Sequence, residues 1–224
     1  MRNKNNNETL DIVYEDKDII VVYKPRNLLT IRTEDKKTFS RNLYHYVHDY
    51  LDKKHQRPYI VHRLDFDTSG LVIFAKTPQI KEILQKCFEE RTVTRKYEAV
   101  VRENLETGKT YRVRQYLLTD SKHDIHVTKD SDKGKEAITN IEVKKHIGIG
   151  SVLDINIETG RRNQIRIALR TLNLTLVGDE RYSNDKDKRM YLNEYMLEFP
   201  KTCPIKQKLF YSKPLWLDDV SVAK

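Results

Sequence analysis

The five residues Leu71-Val72-Ile73-Phe74-Ala75 form an unbroken apolar run, and no other stretch constrains the fold as strongly. A run this short, without polar alternation, reads as a strand buried on both faces of a sheet. Asp67-Thr68-Ser69-Gly70 leads into it with turn chemistry: short side chains that bond their own backbone, and a glycine free to adopt positive φ. Ahead of the turn, His62-Arg63-Leu64-Asp65 sets an imidazole, a guanidinium and a carboxylate within four residues. The carboxylate thus stands on a loop feeding a rigid strand, a common placement for catalytic groups.

Taken alone, the loop leaves several readings open. Asp65 can be a turn former or a helix cap, Arg63 its surface partner and His62 a satisfied structural histidine. Asp65-Phe66-Asp67 can be a D-x-D metal site. Alternate residues of a strand point to opposite faces, however, so only a loop lets both carboxylates share an ion, and no nearby His or Cys completes a set. A kinase catalytic loop needs Asp directly after His-Arg, together with a Gly-rich loop and D-F-G. Here Leu64 intervenes and the other parts are missing.

Residues 61–76 together resemble the signature of the RluA family of pseudouridine synthases, H-R-L-D-x-x-T-S-G-L followed by an apolar strand and Ala-Lys; every fixed position from His62 to Leu71 is present. Lys96-Tyr97-Glu98-Ala99-Val100 is similar to the second family motif, Lys-Tyr-x-Ala-Val. The third motif, T-G-R-[ST]-H-Q-[IL]-R followed by a helix and G-D-x-x-Y, is matched by Thr159-Gly160-Arg161, Gln164-Ile165-Arg166 and Gly178-Asp179-Glu180-Arg181-Tyr182. Departures fall at Arg162, Asn163, Ala168, Asn173 and Thr175, and they bear on contacts with RNA more than on chemistry. The opening Tyr14-Glu15-Asp16, a strand and Lys24-Pro25 also resemble the family, with Asn27 where a glycine is usual. Lys24 reads as a strand-end support rather than a catalyst. The resemblance spans roughly residues 12–217.

That resemblance implies an α+β fold: a long mixed, mainly antiparallel β-sheet flanked by helices and loops, with a central cleft. It implies one catalytic domain over residues 10–224, without an S4-like RNA-binding module, behind a disordered tail of residues 1–9. The implied activity isomerises uridines of structured RNA, tRNA or rRNA, to pseudouridine: uracil is detached from ribose, rotated and rejoined through carbon. Cleaving an N-glycosidic bond builds positive charge at the anomeric carbon, and Asp65 is the implied nucleophile against it. Arg166 is its implied partner, favouring the carboxylate form. Tyr97 is the implied base for the C5 proton, with Arg166 or Lys96 as the charged neighbour a phenol requires. The uridine must be flipped out of its stack, a state that Arg63 would support, while His62, Lys96 and Arg161 are further expected RNA contacts. No metal or cofactor is expected, and a monomer is. The competing reading is an RNA-binding protein of the same fold that has lost catalysis.

Composition agrees with a polyanionic partner. Lys and Arg number 42 against 33 Asp and Glu, a net charge of +9. The two cysteines, Cys87 and Cys203, suit buried free thiols in a reducing compartment. No stretch approaches the roughly 18 apolar residues of a membrane span, and a soluble, cytoplasmic protein is expected. Periodicity predicts strands within 12–23, 111–118, 137–143 and 152–157, and helices over 43–51 with Ser40 as cap, after Thr77-Pro78, and from Ile165. Residues 121–135 read as a mobile basic loop and 184–191 as a charged one. The tail through Trp216 is expected to add a strand or to pack on the sheet edge.

Overall fold

The computed structural model describes residues 10–32, 41–121 and 124–213. The expected tail of residues 1–9, Ser40 and Trp216 lie outside them. The apolar run forms the middle of a strand, Ser69–Ala75, in which every residue is buried. Its neighbours explain why no polar residue is tolerated there. On one side it pairs antiparallel with Ile19–Lys24, itself buried throughout. On the other it pairs parallel with Leu192–Glu198.

In chain order the strands are β1 (Ile12–Glu15), β2 (Ile19–Lys24), β3 (Tyr59–Ile60), β4 (Ser69–Ala75), β5 (Thr94–Val101), β6 (Thr110–Thr119), β7 (Ile125–Thr128), β8 (Lys135–Ile147), β9 (Gly150–Ile157), β10 (Leu192–Glu198) and β11 (Leu209–Tyr211). They share one sheet in the order β1-β2-β4-β10-β5-β9-β8-β6-β7, with β3 beside β4 and β11 beside β10. Apart from β4–β10, these strand pairings are antiparallel. The helices are α1 (Leu43–Asp52), α2 (Pro78–Glu89) and α3 (Gln164–Thr171). The architecture is therefore α+β with a mixed, mainly antiparallel sheet, as expected.

Alternation sorts the central strands between two cores. Ile20, Val22, Val72 and Phe74 join Leu43, Val47 and Leu51 of α1 on one face. Ile19, Val21, Leu71 and Ile73 join Leu84 and Cys87 of α2 on the other. Both faces of β2 and β4 are thus covered by helices, which removes the polar half of the usual strand pattern. Thr77 caps α2 through Oγ1 to the Ile80 amide, with Pro78 in the first turn. The cap of α1 is Asn42, whose Oδ1 accepts from the His45 amide at 2.9 Å.

Besides the two-residue β3, which was not expected, two longer elements depart from expectation. Within 121–135, a segment expected to be loop, β7 pairs in register with β6 from Tyr116↔Thr128 to Thr119↔Ile125. A four-residue edge strand carrying one buried side chain, Ile125, leaves too few alternations to register as a pattern. The interior strand β10 was also not expected. Its sequence, LNEYMLE, buries Asn193 and Glu194 completely.

The sheet edge carries a buried ion pair that makes an acid-stability prediction. Lys76, with a side chain only 4% exposed, lies 2.6 Å from Glu15, which also accepts from Tyr50 and Lys54 at 2.8 and 3.0 Å. Burial pushes the Glu15 carboxyl up, but the bonds from Lys76, Tyr50 and Lys54 outweigh it and hold the group at about 2. Because the folded value lies below the unfolded value of 4.5, this carboxylate stabilises the fold above that pH, and the contribution is lost as pH falls towards 2. The stability of Glu15→Gln should decline less steeply than that of the parent between about pH 4.5 and 2 in chemical unfolding. Equal slopes would refute the assignment.

Candidate active site

The site is built where β4, β5 and β10 meet. Ser69 and Gly70 open β4 opposite Asn193 and Glu194 of β10, and Glu194 lies opposite Tyr97 of β5. Gly70 has φ 128°, and a Cβ there would stand 2.3 Å from the Glu194 carbonyl oxygen. Only glycine permits that approach. Gly70→Ala is expected to cost about 3 kcal/mol or more, since strain and a backbone clash add; thermal unfolding checks this, and an unchanged Tm would contradict it.

The signature loop ahead of β4 is fixed from beneath. Thr30 Oγ1 accepts from the Leu64 amide at 3.1 Å and donates to the Leu64 carbonyl at 2.9 Å. Lys24, fully buried, donates through Nζ to the carbonyls of Leu28, Pro25 and Phe66 at 2.7, 3.0 and 3.2 Å. Burial draws its ammonium down to about 7, against the pull of Asp65 and Asp67. Lys24 is therefore a strut of the loop.

Asp65 is presented to a cavity of about 150 Å³ whose lining includes Arg63, Arg95, Tyr97, Arg161 and Arg166. Asp65, Tyr97 and Arg166, drawn from three separated motifs, face this one space. The Asp65 Oδ2 accepts the backbone N–H of Asn163 at 3.0 Å. Asn163 occupies the N-cap position of α3 in left-handed backbone, φ 54°, which asparagine adopts more readily than most residues, and this conformation presents its N–H to Asp65.

Arg166 does not pair directly with Asp65 in this structure. Its guanidinium forms a bidentate pair with Asp179, Nε to Oδ2 at 2.8 Å and Nη2 to Oδ1 at 2.6 Å. Nη1 donates to Asn163 Oδ1 at 3.3 Å and lies 3.7 Å from Asp67. Asp179 is only 1% exposed, and so deep a carboxylate requires a cation beside it. Arg166 thus connects to Asp65 through Asn163 and through its charge. Asp179→Ala would leave the buried guanidinium with only the Asn163 bond and the 3.7 Å contact to Asp67, at an expected cost of about 3 kcal/mol, the lower end for a broken buried pair. Unfolding measurements showing less than about 1 kcal/mol would place the pair outside the core.

Tyr97 is buried, and Arg95 Nη2 donates to its hydroxyl at 2.5 Å while Arg95 Nε donates to Glu194 at 2.8 Å. Burial pushes the phenol well above its usual value; Arg95 opposes this, and Glu194 adds to it. The charged neighbour of Tyr97 is therefore Arg95, not Arg166 or Lys96. Lys96 points to the opposite side of β5 and pairs with Asp154 at 3.1 Å. His62 lines an adjoining cleft, where its ring stacks on Phe88 at 4.8 Å and Nε2 accepts from the Ile73 amide at 3.2 Å. Burial, with Arg95, pushes that imidazole well down. Arg63 is exposed and lines three adjoining cavities, and Arg161 Nε donates to the Glu136 carbonyl at 3.0 Å.

Sequence reasoning missed Arg95 and Glu194, and it placed Asn163 and Asp179 in the third motif without their bonds to Asp65 and Arg166. Alternation could have found Arg95, two residues before Tyr97 and so on the same strand face. Glu194 gave no signal, because its strand was not visible. Among the described residues, no group of three or more His, Cys, Asp or Glu side chains is placed to hold a metal ion. No helix among them is long and apolar enough to cross a membrane.

Residues 18–171 match the RNA pseudouridylate synthases. The chain belongs to that family. Its curated relatives include "Ribosomal large subunit pseudouridine synthase D" of Yersinia pestis, 38% identical over 175 residues, and that of Escherichia coli K12, 36% identical over 180. Each match covers 77% of this chain and 52% of the relative, so the chain spans about half the length of these proteins. The solved human RNA pseudouridylate synthase domain containing 4 superposes with a TM-score of 0.75 at 16% identity, covering 93% of this chain and 90% of its own. Domain containing 1 gives 0.74 at 24% identity, covering 95% and 86%. Both show the fold. In this family member, the departure at Asn163 falls on a residue that is 5% exposed and bonded to Asp65, Arg166 and Tyr182. It is a structural hub of the pocket.

Proposed function

We propose that the chain is an RNA pseudouridine synthase acting on large-subunit ribosomal RNA, with Asp65 as nucleophile, Tyr97 as general base and Arg166 as an electrostatic support of Asp65. The observation that carries this reading is the convergence of the three side chains on one cavity of about 150 Å³. The strands between residues 12 and 211 share one sheet, which supports taking residues 10–224 as one catalytic unit. The ribosomal substrate is suggested by the names of the relatives.

The chemistry then runs as follows. A flipped uridine places its anomeric carbon against Asp65, whose carboxylate meets the positive charge that develops as the N-glycosidic bond breaks. The Asn163 N–H fixes the attacking group, and Arg95, Arg161 and Arg166 make the pocket cationic, which suits the uracil anion that is released. After the ring has turned, C5 bonds to the anomeric carbon as Asp65 leaves it as the free carboxylate. A base must then remove the C5 proton, while N1 takes up the proton that this base gave up beforehand. Tyr97 is a phenol at rest, so its own proton must leave first. Glu194, buried and with its carboxyl pushed up by that burial against the pull of Arg95, is the adjacent acceptor. Arg95 then stabilises the phenolate.

The test is incubation of the purified chain with large-subunit ribosomal RNA and, separately, with bulk tRNA transcripts, followed by pseudouridine mapping. Pseudouridine at discrete positions of the ribosomal RNA is expected. Modification of tRNA alone would redirect the substrate. Binding of both RNAs with no isomerisation would replace the enzyme reading with that of an RNA-binding protein.

A further inference from the structure

We infer that Phe66 is a stacking platform for a second nucleobase, that of a nucleotide flanking the target uridine; the inference rests on the proposal that the chain takes RNA. Phe66 stands between Asp65 and Asp67, yet its side chain is 47% exposed. The other exposed large apolar residues among those described, Val127, Leu209 and Tyr211, lie on the short strands β7 and β11. Phe66 alone of the four lines a cleft beside the candidate site, a space of about 420 Å³. That cleft is continuous in lining with the catalytic cavity, because Arg63, Asp65, Arg162 and Arg166 border both.

The loop that carries the ring is braced through its backbone. Lys24 Nζ donates to the Phe66 carbonyl at 3.2 Å, and the Thr68 amide closes a turn onto the Asp65 carbonyl at 3.2 Å. An exposed aromatic on a braced loop offers a π-face whose backbone has little conformational entropy left to lose. Around it the cleft is rich in guanidinium groups: Arg32, Arg63, Arg162 and Arg181. Arg162 stands where the family pattern has Ser or Thr, so this chain adds a cation on the border between the two cavities. A flat apolar face amid arginines is the combination that holds a base by stacking and its phosphates by charge. With one uridine flipped against Asp65, the adjoining nucleotide of the same strand is the group that the cleft is placed to receive. Stacking of this kind tolerates any base, so Phe66 contributes affinity and placement without reading sequence.

The experiment uses a ribosomal stem-loop carrying one mapped target uridine, and versions with a single abasic nucleotide immediately 5′ or 3′ of it. Phe66→Ala is expected to weaken Kd or kcat/KM by roughly 5- to 100-fold, the range for one stacked base, with Tm unchanged. Phe66→Tyr and Phe66→Trp should retain parent values, and Phe66→Leu should fall with alanine. One abasic substitution should weaken the parent similarly and cost Phe66→Ala nothing further. Parent-like behaviour of Phe66→Ala or Phe66→Leu, or an undiminished alanine loss on both abasic RNAs, would overturn the platform. A parent chain that binds the stem-loop but forms no pseudouridine would defeat the synthase reading instead, and the Kd comparison would still decide the question of Phe66.

Discussion

Asp65→Asn is expected to lower pseudouridine formation by about 10⁴-fold or more, with RNA affinity within several-fold of the parent. Losing a nucleophile removes the step on which the rest of the machinery depends, which is why such losses are large and non-additive. The replacement is nearly isosteric and keeps an oxygen able to accept the Asn163 N–H, now at 3.0 Å from Oδ2. Folding and the pocket should therefore persist, and a change in kcat can be read as chemistry. Asp67→Asn supplies the comparison. Its carboxylate stands 3.7 Å from Arg166 and is 40% exposed, so its removal should cost modest stability and less than about tenfold in rate. Pseudouridine yield and Kd are measured for both proteins. Equal activity losses in two folded variants would remove Asp65 from its special place.

Tyr97→Phe should slow the reaction by about 10² to 10⁴, the usual worth of a general base, and should abolish tritium release from C5-labelled uridine. The ring and its packing remain, and one oxygen is lost. That oxygen accepts from Arg95 at 2.5 Å, so the variant also leaves a buried donor unpaired, at an expected 1–3 kcal/mol. The guanidinium keeps its bond to Glu194, which should preserve the fold. Parent-like tritium release would transfer the base to water or another group.

The sequence revealed the elements whose physics is repetitive. β4 was plain because burial on both faces leaves only apolar residues, and α2 because Thr77 and Pro78 mark its start. It did not reveal β10, since Asn193 and Glu194 break the apolar pattern while being entirely buried. Partners remote in the chain offset part of that burial: Asn193 Oδ1 accepts from Tyr23 and Ser69 at 3.0 and 2.9 Å, and Glu194 Oε1 accepts from Arg95 at 2.8 Å. Partner choice was equally hidden. The third motif brought Arg166 to the Asp65 cavity, but the deeper Asp179 takes its guanidinium. Motifs indicate which side chains gather; relative depth decides how they pair.

The parallel pairing of β4 with β10 also sets a timetable for synthesis. Ser69 and Asn193 meet across 124 residues of chain. A ribosome adding about 5–20 residues per second completes β4 roughly 6 to 24 s before it completes Glu194. Throughout that interval the apolar run of β4 lacks its partner on one edge, and Arg95 and Tyr97, once added, wait for their carboxylate. An unpaired apolar edge is a site for association with other chains. The nascent protein therefore carries all three motifs, through Tyr182, before β10 is complete, and the apolar strand edge that waits for its partner borders the candidate site.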